Sequence, residues 1–212
     1  EKEIQIRHMQ SIISPHFFYN TLDVISASMI LAGQEQIAEA VANFAKMMRY
    51  AFKADKIVTL GSELSCIESF VKLQKVCYND QLEMRMEVDD CLKLIYCPKF
   101  ILQPVVENSI RHGMRPDNKK LHICVRARIV DGEILEVSVE DDGTGMAPER
   151  LEELRHFIED SSEVEDANLG IGLGAVNTQL KIHNRSQFTL KVMSKKDVGT
   201  VVILPIRING GD

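Results

Sequence analysis

Along the first fifty positions apolar residues recur with the period of a helix. Beyond residue 80 helical and alternating patterns take turns. At about 100° per residue, Ile6, Ile13, Phe17, Val24 and Leu31 fall on one stripe of a helix predicted over residues 1–31. Phe18, Leu22, Ile25 and Met29 fall on a second stripe, on a different side. A helix apolar on two faces belongs inside a bundle. Gly33 closes it, and Ile37, Val41, Phe44 and Met48 mark a second amphipathic helix. So short a turn makes the two helices antiparallel. A hairpin of this size has too little core of its own, so a homodimer that completes a four-helix bundle is expected.

A third helix is predicted over 62–78, after which Leu82, Met84, Met86 and Val88 alternate with polar residues as in a half-buried strand. Pro98 is read as opening a helix over 100–112 that Gly113 stops. Strands over 121–130 and 133–140 are joined by Asp131-Gly132, a two-residue hairpin signal. A helix over 148–158, a polar acidic stretch read as a mobile loop over 159–168, a helix over 170–183 and a strand pair over 187–194 and 199–208 complete the chain. The expected fold is α+β. Residues 1–57 form the antiparallel helical hairpin, 58–80 a connecting helix, and 81–212 an α/β sandwich with a mostly antiparallel sheet.

Composition narrows the function classes. The chain has 212 residues, 45% of them hydrophobic, enough for one large core or two modest ones. Its 31 acidic against 25 basic residues give a net charge of -6, so no whole-protein field favours nucleic acid or an anionic membrane. Five cysteines, odd in number and without a Cys-x-x-Cys pair, indicate neither a disulfide framework nor a zinc clip and fit a reducing cytoplasm. Apolar runs fall well short of the roughly 18–20 residues that span a bilayer, and no signal segment opens the chain. A first residue other than Met suggests a piece of a longer protein, the cytoplasmic portion of a membrane-anchored one.

Three segments of the second half carry chemistry as a set. Asp141-Asp142-Gly143-Thr144-Gly145 follows a strand directly: a carboxylate at a strand end accepts from an exocyclic amine, and glycines let backbone approach a ligand. Gly170-Ile171-Gly172-Leu173-Gly174 opens a helix, where free N–H groups and the dipole suit phosphate. It follows no strand of a βαβ unit, which argues against a dinucleotide-binding fold. Glu107, Asn108, Arg111 and His112 span about one helical turn, and Asn108 shares a face with Arg111 and His112, placing an oxygen ligand beside phosphate donors. Mg²⁺ prefers such oxygens and keeps several waters.

The order and spacing of these segments resemble the ATP-binding domain shared by histidine kinases, DNA gyrase, MutL and the large heat-shock chaperone. The resemblance covers roughly residues 90–208. It implies that Asn108 binds Mg²⁺, with Glu107 as a further candidate, and that Asp141 takes the adenine amine. It sets Gly143 and Gly145 beneath the base, Thr200 in support of the carboxylate, and Gly170, Gly172, Leu173 and Gly174 at the phosphates. Residues 146–168 correspond to an ATP lid. Ser14-Pro15-His16-Phe17-Phe18-Tyr19-Asn20-Thr21-Leu22 in turn resembles the phosphoacceptor box of YesM/LytS-like sensor histidine kinases, which extends the likeness over almost the whole chain.

That resemblance implies a kinase that moves the γ-phosphoryl group of Mg·ATP to His16 and then to an aspartate of a response-regulator receiver domain. The helical wheel agrees, since His16, Asn20 and Asp23 cluster beside the first apolar stripe, leaving the imidazole reachable. The acidic residue that many histidine kinases carry after the phosphoacceptor is Phe17 here. Asn20 can orient the ring but not take its proton, Asp23 is two turns away, and the base stays open. His8, His122, His156 and His183 are read as structural or surface residues. Two other readings of the same residues also stand open: a superfamily ATPase or anti-sigma-type serine kinase in which His16 is not modified, and a non-catalytic ATP-sensing dimer or phosphatase.

Overall fold

The computed structural model describes residues 15–78, 81–115, 119–159 and 171–208. Helices α1 (Pro15–Leu31) and α2 (Glu35–Phe52) form the expected antiparallel hairpin, reversed at Gly33 with a left-handed φ of 71°. The expected continuation of α1 over residues 1–14 lies outside the described residues. The second apolar stripe holds the hairpin together. Phe18 packs edge-on against Phe44 and Phe52 with ring centroids 6.4 Å apart in each pair, and Tyr19 packs on Phe52 at 6.1 Å. Among the described residues the first stripe has no cover: Phe17 is 67%, Val24 66% and Leu31 90% exposed.

After α2 come β1 (Ile57–Thr59), α3 (Leu60–Cys77), β2 (Leu82–Glu87), a 3-10 turn at Leu92–Leu94 and β3 (Tyr96–Pro98). Thr59 caps α3, accepting from the Ser62 N–H at 3.3 Å. β1 and β3 pair antiparallel as a two-stranded sheet. Neither strand is legible in the periodicity, since three residues show no alternation and their mutual pairing, Ile57 with Pro98, Val58 with Cys97 and Thr59 with Tyr96, fixes them. Pro98 therefore ends a strand instead of starting a helix. Residues 99–102 follow it irregularly, with Phe100 at a φ of 62°. α4 (Gln103–Gly113) begins only there, with Pro104 in its first turn, where a missing N–H costs no helical bond.

The remaining elements are β4 (Leu121–Val130), β5 (Ile134–Asp141), α5 (Pro148–Glu159), α6 (Ile171–His183), β6 (Lys191–Lys195) and β7 (Gly199–Arg207). The larger sheet runs β2-β4-β5-β7-β6, parallel between β2 and β4 and antiparallel elsewhere. The fold is α+β, as expected. Asp131 and Gly132 are both left-handed, with φ of 52° and 75°, but the loop extends through Glu133, one residue longer than the dipeptide alone predicts.

Alternation selects the inner face. Leu121, Ile123 and Val125, then Leu135, Val137 and Val139, then Val202, Leu204 and Ile206 are all buried, and α4, α5 and α6 cover them. On the outer face Arg126 joins Glu87 and Glu140 at 2.7 and 2.6 Å. Such exposed pairs fix side chains more than they stabilise the fold.

Because Phe18 is only partly buried, Phe18→Ala should cost about 2 kcal/mol, below the range for fully buried Phe. Urea unfolding followed by helical circular dichroism measures it. An unchanged midpoint would contradict the packing described.

Candidate functional site

The strand register aims Asp141 inward. It lies opposite Thr200 on β7 and Ile123 on β4, at the next inward position after Val139. The side chain is 6% exposed. Its Oδ1 accepts the Gly143 N–H at 3.0 Å, and the Ser109 hydroxyl and the Thr200 backbone N–H also donate to it. Burial pushes the carboxyl above the ordinary carboxylate range, and those three donors oppose the rise. Asp141 floors a cavity of about 300 Å³ between the sheet and α4, α5 and α6.

α4 supplies the opposite wall. Asn108, Ser109, His112 and Gly113 line the cavity, whereas Glu107 and Arg111 are exposed on the same helix outside the lining. Asn108 and His112, four apart, share the inner face that the sequence assigned to them, and Arg111 does not. The Asn108 Nδ2 is buried without a hydrogen-bond partner among the described residues. Partial burial, then the nearby Arg111 and Arg150 guanidinium groups, hold His112 below its ordinary value. Its ring stays neutral at pH 7, a hydrogen-bonding group rather than a cation.

The glycines serve backbone packing before they serve a ligand. A Cβ on Gly143 would lie 2.4 Å from the Gly113 Cα, and one on Gly145 would lie 2.0 Å from the Lys195 carbonyl oxygen. Gly145 also has a φ of 59° and lines the cavity, while Gly143 sits just behind it. Gly172 brings the start of α6 against Pro104 and Asn108, Leu173 lines the cavity, and Gly174 makes room for the Phe157 ring. Gly170 and residues 160–168 of the expected lid lie outside the described residues, while residues 148–159 of that lid form α5.

Sequence reasoning missed several supports. Arg115 Nη2 donates to the carbonyls of Asp142, Gly143 and Asp197 at 3.0, 2.9 and 2.9 Å, tying the Asp141 loop to the β6–β7 turn. Thr144 Oγ1 donates to the His112 carbonyl at 2.7 Å, locking the loop to the end of α4. Ser194 bonds Thr200 Oγ1 at 2.9 Å and accepts the Met146 N–H at 2.9 Å, fixing where the segment after the loop departs. Ser109 alone had a sequence signal: it lies one residue from Asn108 and faces the core. His122 braces Asp142 at 2.7 Å, consistent with its structural reading.

On α1, His16 is exposed, and its Nδ1 lies 3.2 Å from Asn20 Nδ2. Asp23 is not directed at the imidazole. It pairs with Arg49 of α2 at 2.7 Å, and the same guanidinium lies 5.3 Å from the Tyr19 ring centre.

Residues 98–209 match the family model described as histidine kinase-, DNA gyrase B- and HSP90-like ATPase. The chain belongs to this ATPase family. Residues 4–82 match the histidine kinase family model, so two matches divide the ATPase domain from the helices that precede it. The chain is similar to the sensor protein kinase HptS of Staphylococcus aureus, 28% identical over 100% of this chain and 40% of HptS. It is similar also to the sensor histidine kinase YesM of Bacillus subtilis, 27% identical over 97% of this chain and 33% of YesM. It thus spans less than half the length of these relatives. The histidine kinase domain of the Erythrobacter litoralis blue-light activated histidine kinase shares the fold, with a TM-score of 0.51 at 18% identity, over 87% of this chain and 86% of that one.

Membership of this ATPase family implies ATP binding, and Asp141 is the buried acceptor on the floor of the cavity. Asp141→Asn should weaken ATP binding by about 1.5–3 kcal/mol, or roughly ten- to over a hundredfold, while the fold persists. Calorimetric titration measures the loss, and wild-type affinity in the variant would remove Asp141 from the site.

Proposed function

We propose that this chain is the kinase core of a two-component sensor histidine kinase, which phosphorylates His16 from ATP and passes the group to an aspartate of a response-regulator receiver domain. The observation that carries the reading is an exposed histidine, with one ring nitrogen beside an amide, in the same chain as the Asp141 cavity. The two family matches, one over each part, support it. In the transfer the bond between the γ-phosphorus and its bridging oxygen breaks as a bond to a His16 ring nitrogen forms. ADP leaves, and the imidazole proton passes to solvent.

The residues divide this work. Asp141 and Thr200 hold the base, with Gly145 beside it, and the start of α6 near Gly172 and Leu173 offers N–H groups to phosphate. Ser194 keeps Thr200 in place. Asn108 fits Mg²⁺ as one protein ligand, since it lines the cavity, its buried Nδ2 has no hydrogen-bond partner among the described residues, and amide nitrogen and oxygen exchange by a half-turn. Bound there, Mg²⁺ would neutralise charge on the phosphates. Glu107 and Arg111 lie outside the cavity lining, so any role for them requires phosphates that extend past it. Catalysis of this kind is positioning and electrostatics.

The bare stripe of Phe17, Val24 and Leu31 supports a homodimer in which two hairpins form a four-helix bundle. Among the described residues no helix is long and apolar enough to cross a membrane. The proposed setting is the cytoplasmic portion of a membrane-anchored sensor. Its acidic balance gives no reason to expect direct nucleic-acid binding.

Incubation with γ-labelled ATP and Mg²⁺ should give label that is acid-labile and base-stable and that disappears in His16→Gln while nucleotide binding persists. Label that survives in His16→Gln or resists acid would instead favour a serine kinase, and ATP binding without any label would favour the ATP-sensing dimer. Light scattering should show a dimer that Val24→Asp converts to a monomer with its helix content kept, because Val24 lies on the bare face. Phe18→Asp should instead disrupt the hairpin itself. A wild-type monomer of 23.9 kDa at high concentration would refute the bundle.

A further inference from the structure

Glu63, on α3, is 1% exposed, a burial that strongly disfavours a carboxylate unless donors surround it. Here they do. Its Oε1 accepts the Tyr50 hydroxyl of α2 and the Phe100 N–H at 2.6 Å, and its Oε2 accepts the Leu102 N–H at 3.0 Å. Leu102 is the N-cap residue of α4, so two of the three bonds fix the approach to that helix and the third reaches the end of α2.

A second tie runs beside the first. Lys99, itself 8% exposed, donates to the carbonyls of Ala51 and Lys53 at 3.1 and 2.5 Å, filling acceptors that the end of α2 leaves open. Its ammonium lies 5.1 Å from both the Tyr50 and Phe100 ring centres, and those rings meet edge-on at 5.2 Å. Residues 99–102 are therefore bonded to α2 through Lys99 and to α3 through Glu63, and lead directly into the helix that carries Asn108.

We propose that Glu63 is a positioning residue that ties the start of α4, and with it Asn108, to the end of α2 in the phosphoacceptor hairpin. The consequence for nucleotide binding rests on reading Asn108 as part of the ATP site. Coupling of this kind is reciprocal: what shifts α2 alters the ATP site, and ATP steadies the end of α2.

The test uses amide hydrogen exchange on the full chain, with and without ATP, in wild type, Tyr50→Phe and Glu63→Gln. Tyr50→Phe keeps the ring packing and removes only the bond from α2. Glu63→Gln places an amide N–H₂ against a backbone N–H. Exchange over 99–109 should quicken on the order of tenfold in Glu63→Gln and less in Tyr50→Phe, with β4, β5 and β7 unchanged. ATP should slow exchange over 49–53 in wild type and fail to do so in Tyr50→Phe, although that variant still binds ATP. A merely structural Glu63 would leave this ATP response intact in Tyr50→Phe, and that result overturns the proposal. Wild-type exchange over 99–109 in Glu63→Gln also overturns it, whether or not ATP binds. Asn108→Ala separates the two claims: undiminished Mg·ATP affinity there refutes the reading of Asn108 as part of the ATP site and leaves exchange over 99–109 and 49–53 in the ATP-free variants to decide the tie.

Discussion

The antiparallel register between β5 and β7 is the constraint on which the site depends. It pairs Val139 with Val202 and Asp141 with Thr200, so that the alternation burying three branched aliphatic side chains on each strand also turns one carboxylate inward at the strand end. A slip of one residue would send every one of these side chains to the outer face. The hydrophobic energy of the whole inner face therefore holds Asp141 where no isolated carboxylate would stay. Its raised pKa is the sign of that compulsion: desolvation opposes the charge, and the Gly143, Ser109 and Thr200 donors return only part of the cost.

From that fixed point the rest of the cavity is assembled by backbone contact. Gly143 and Gly113 touch because the loop after β5 must cross the end of α4, and Thr144 and Arg115 then lock the crossing. α4 is held at its other end by Glu63. Asn108 thus stands on a helix pinned at both ends, by the sheet on one side and by the junction with the hairpin on the other. A rigid carrier of this kind suits the proposed role of Asn108 at the phosphates.

Elements were legible in the sequence where local pattern and burial agree. The alternation of β4 and β5, a turn at Asp131-Gly132 and the helical pattern of residues 15–31 are each written in neighbouring residues, and the structure has them, with the turn one residue longer than its dipeptide predicts. β1 and β3 were not legible, because a three-residue strand exists only through a partner some forty positions away. Arg115 and Ser194 were missed for the same reason: their importance lies in which distant carbonyl or hydroxyl they reach. Glu63 did leave a trace, since it interrupts the otherwise apolar stripe of Leu60, Leu64, Ile67 and Val71 on α3. A charge inside a core stripe marks a buried polar contact, though the sequence does not name the partner.

The phosphoacceptor end shows how few groups the proposed reaction needs. With Asp23 engaged by Arg49, no carboxylate on α1 is directed at His16, so a strong base on that helix is not part of the arrangement. A neutral imidazole attacks through its unprotonated nitrogen, and attack through Nε2 requires the proton on Nδ1. Asn20 stands at Nδ1, and a half-turn of its amide presents the carbonyl oxygen there as an acceptor. In that orientation Asn20 would select the tautomer with Nε2 free and, in the proposed transfer, would stabilise the positive charge that develops on the ring as the bond to phosphorus forms. The Nδ1 proton becomes more acidic at that moment and can leave to water, because the ring lies on an exposed flank. On the proposed reading Asn20 would act by orientation rather than by proton transfer, and a phenylalanine after the histidine is compatible with that chemistry.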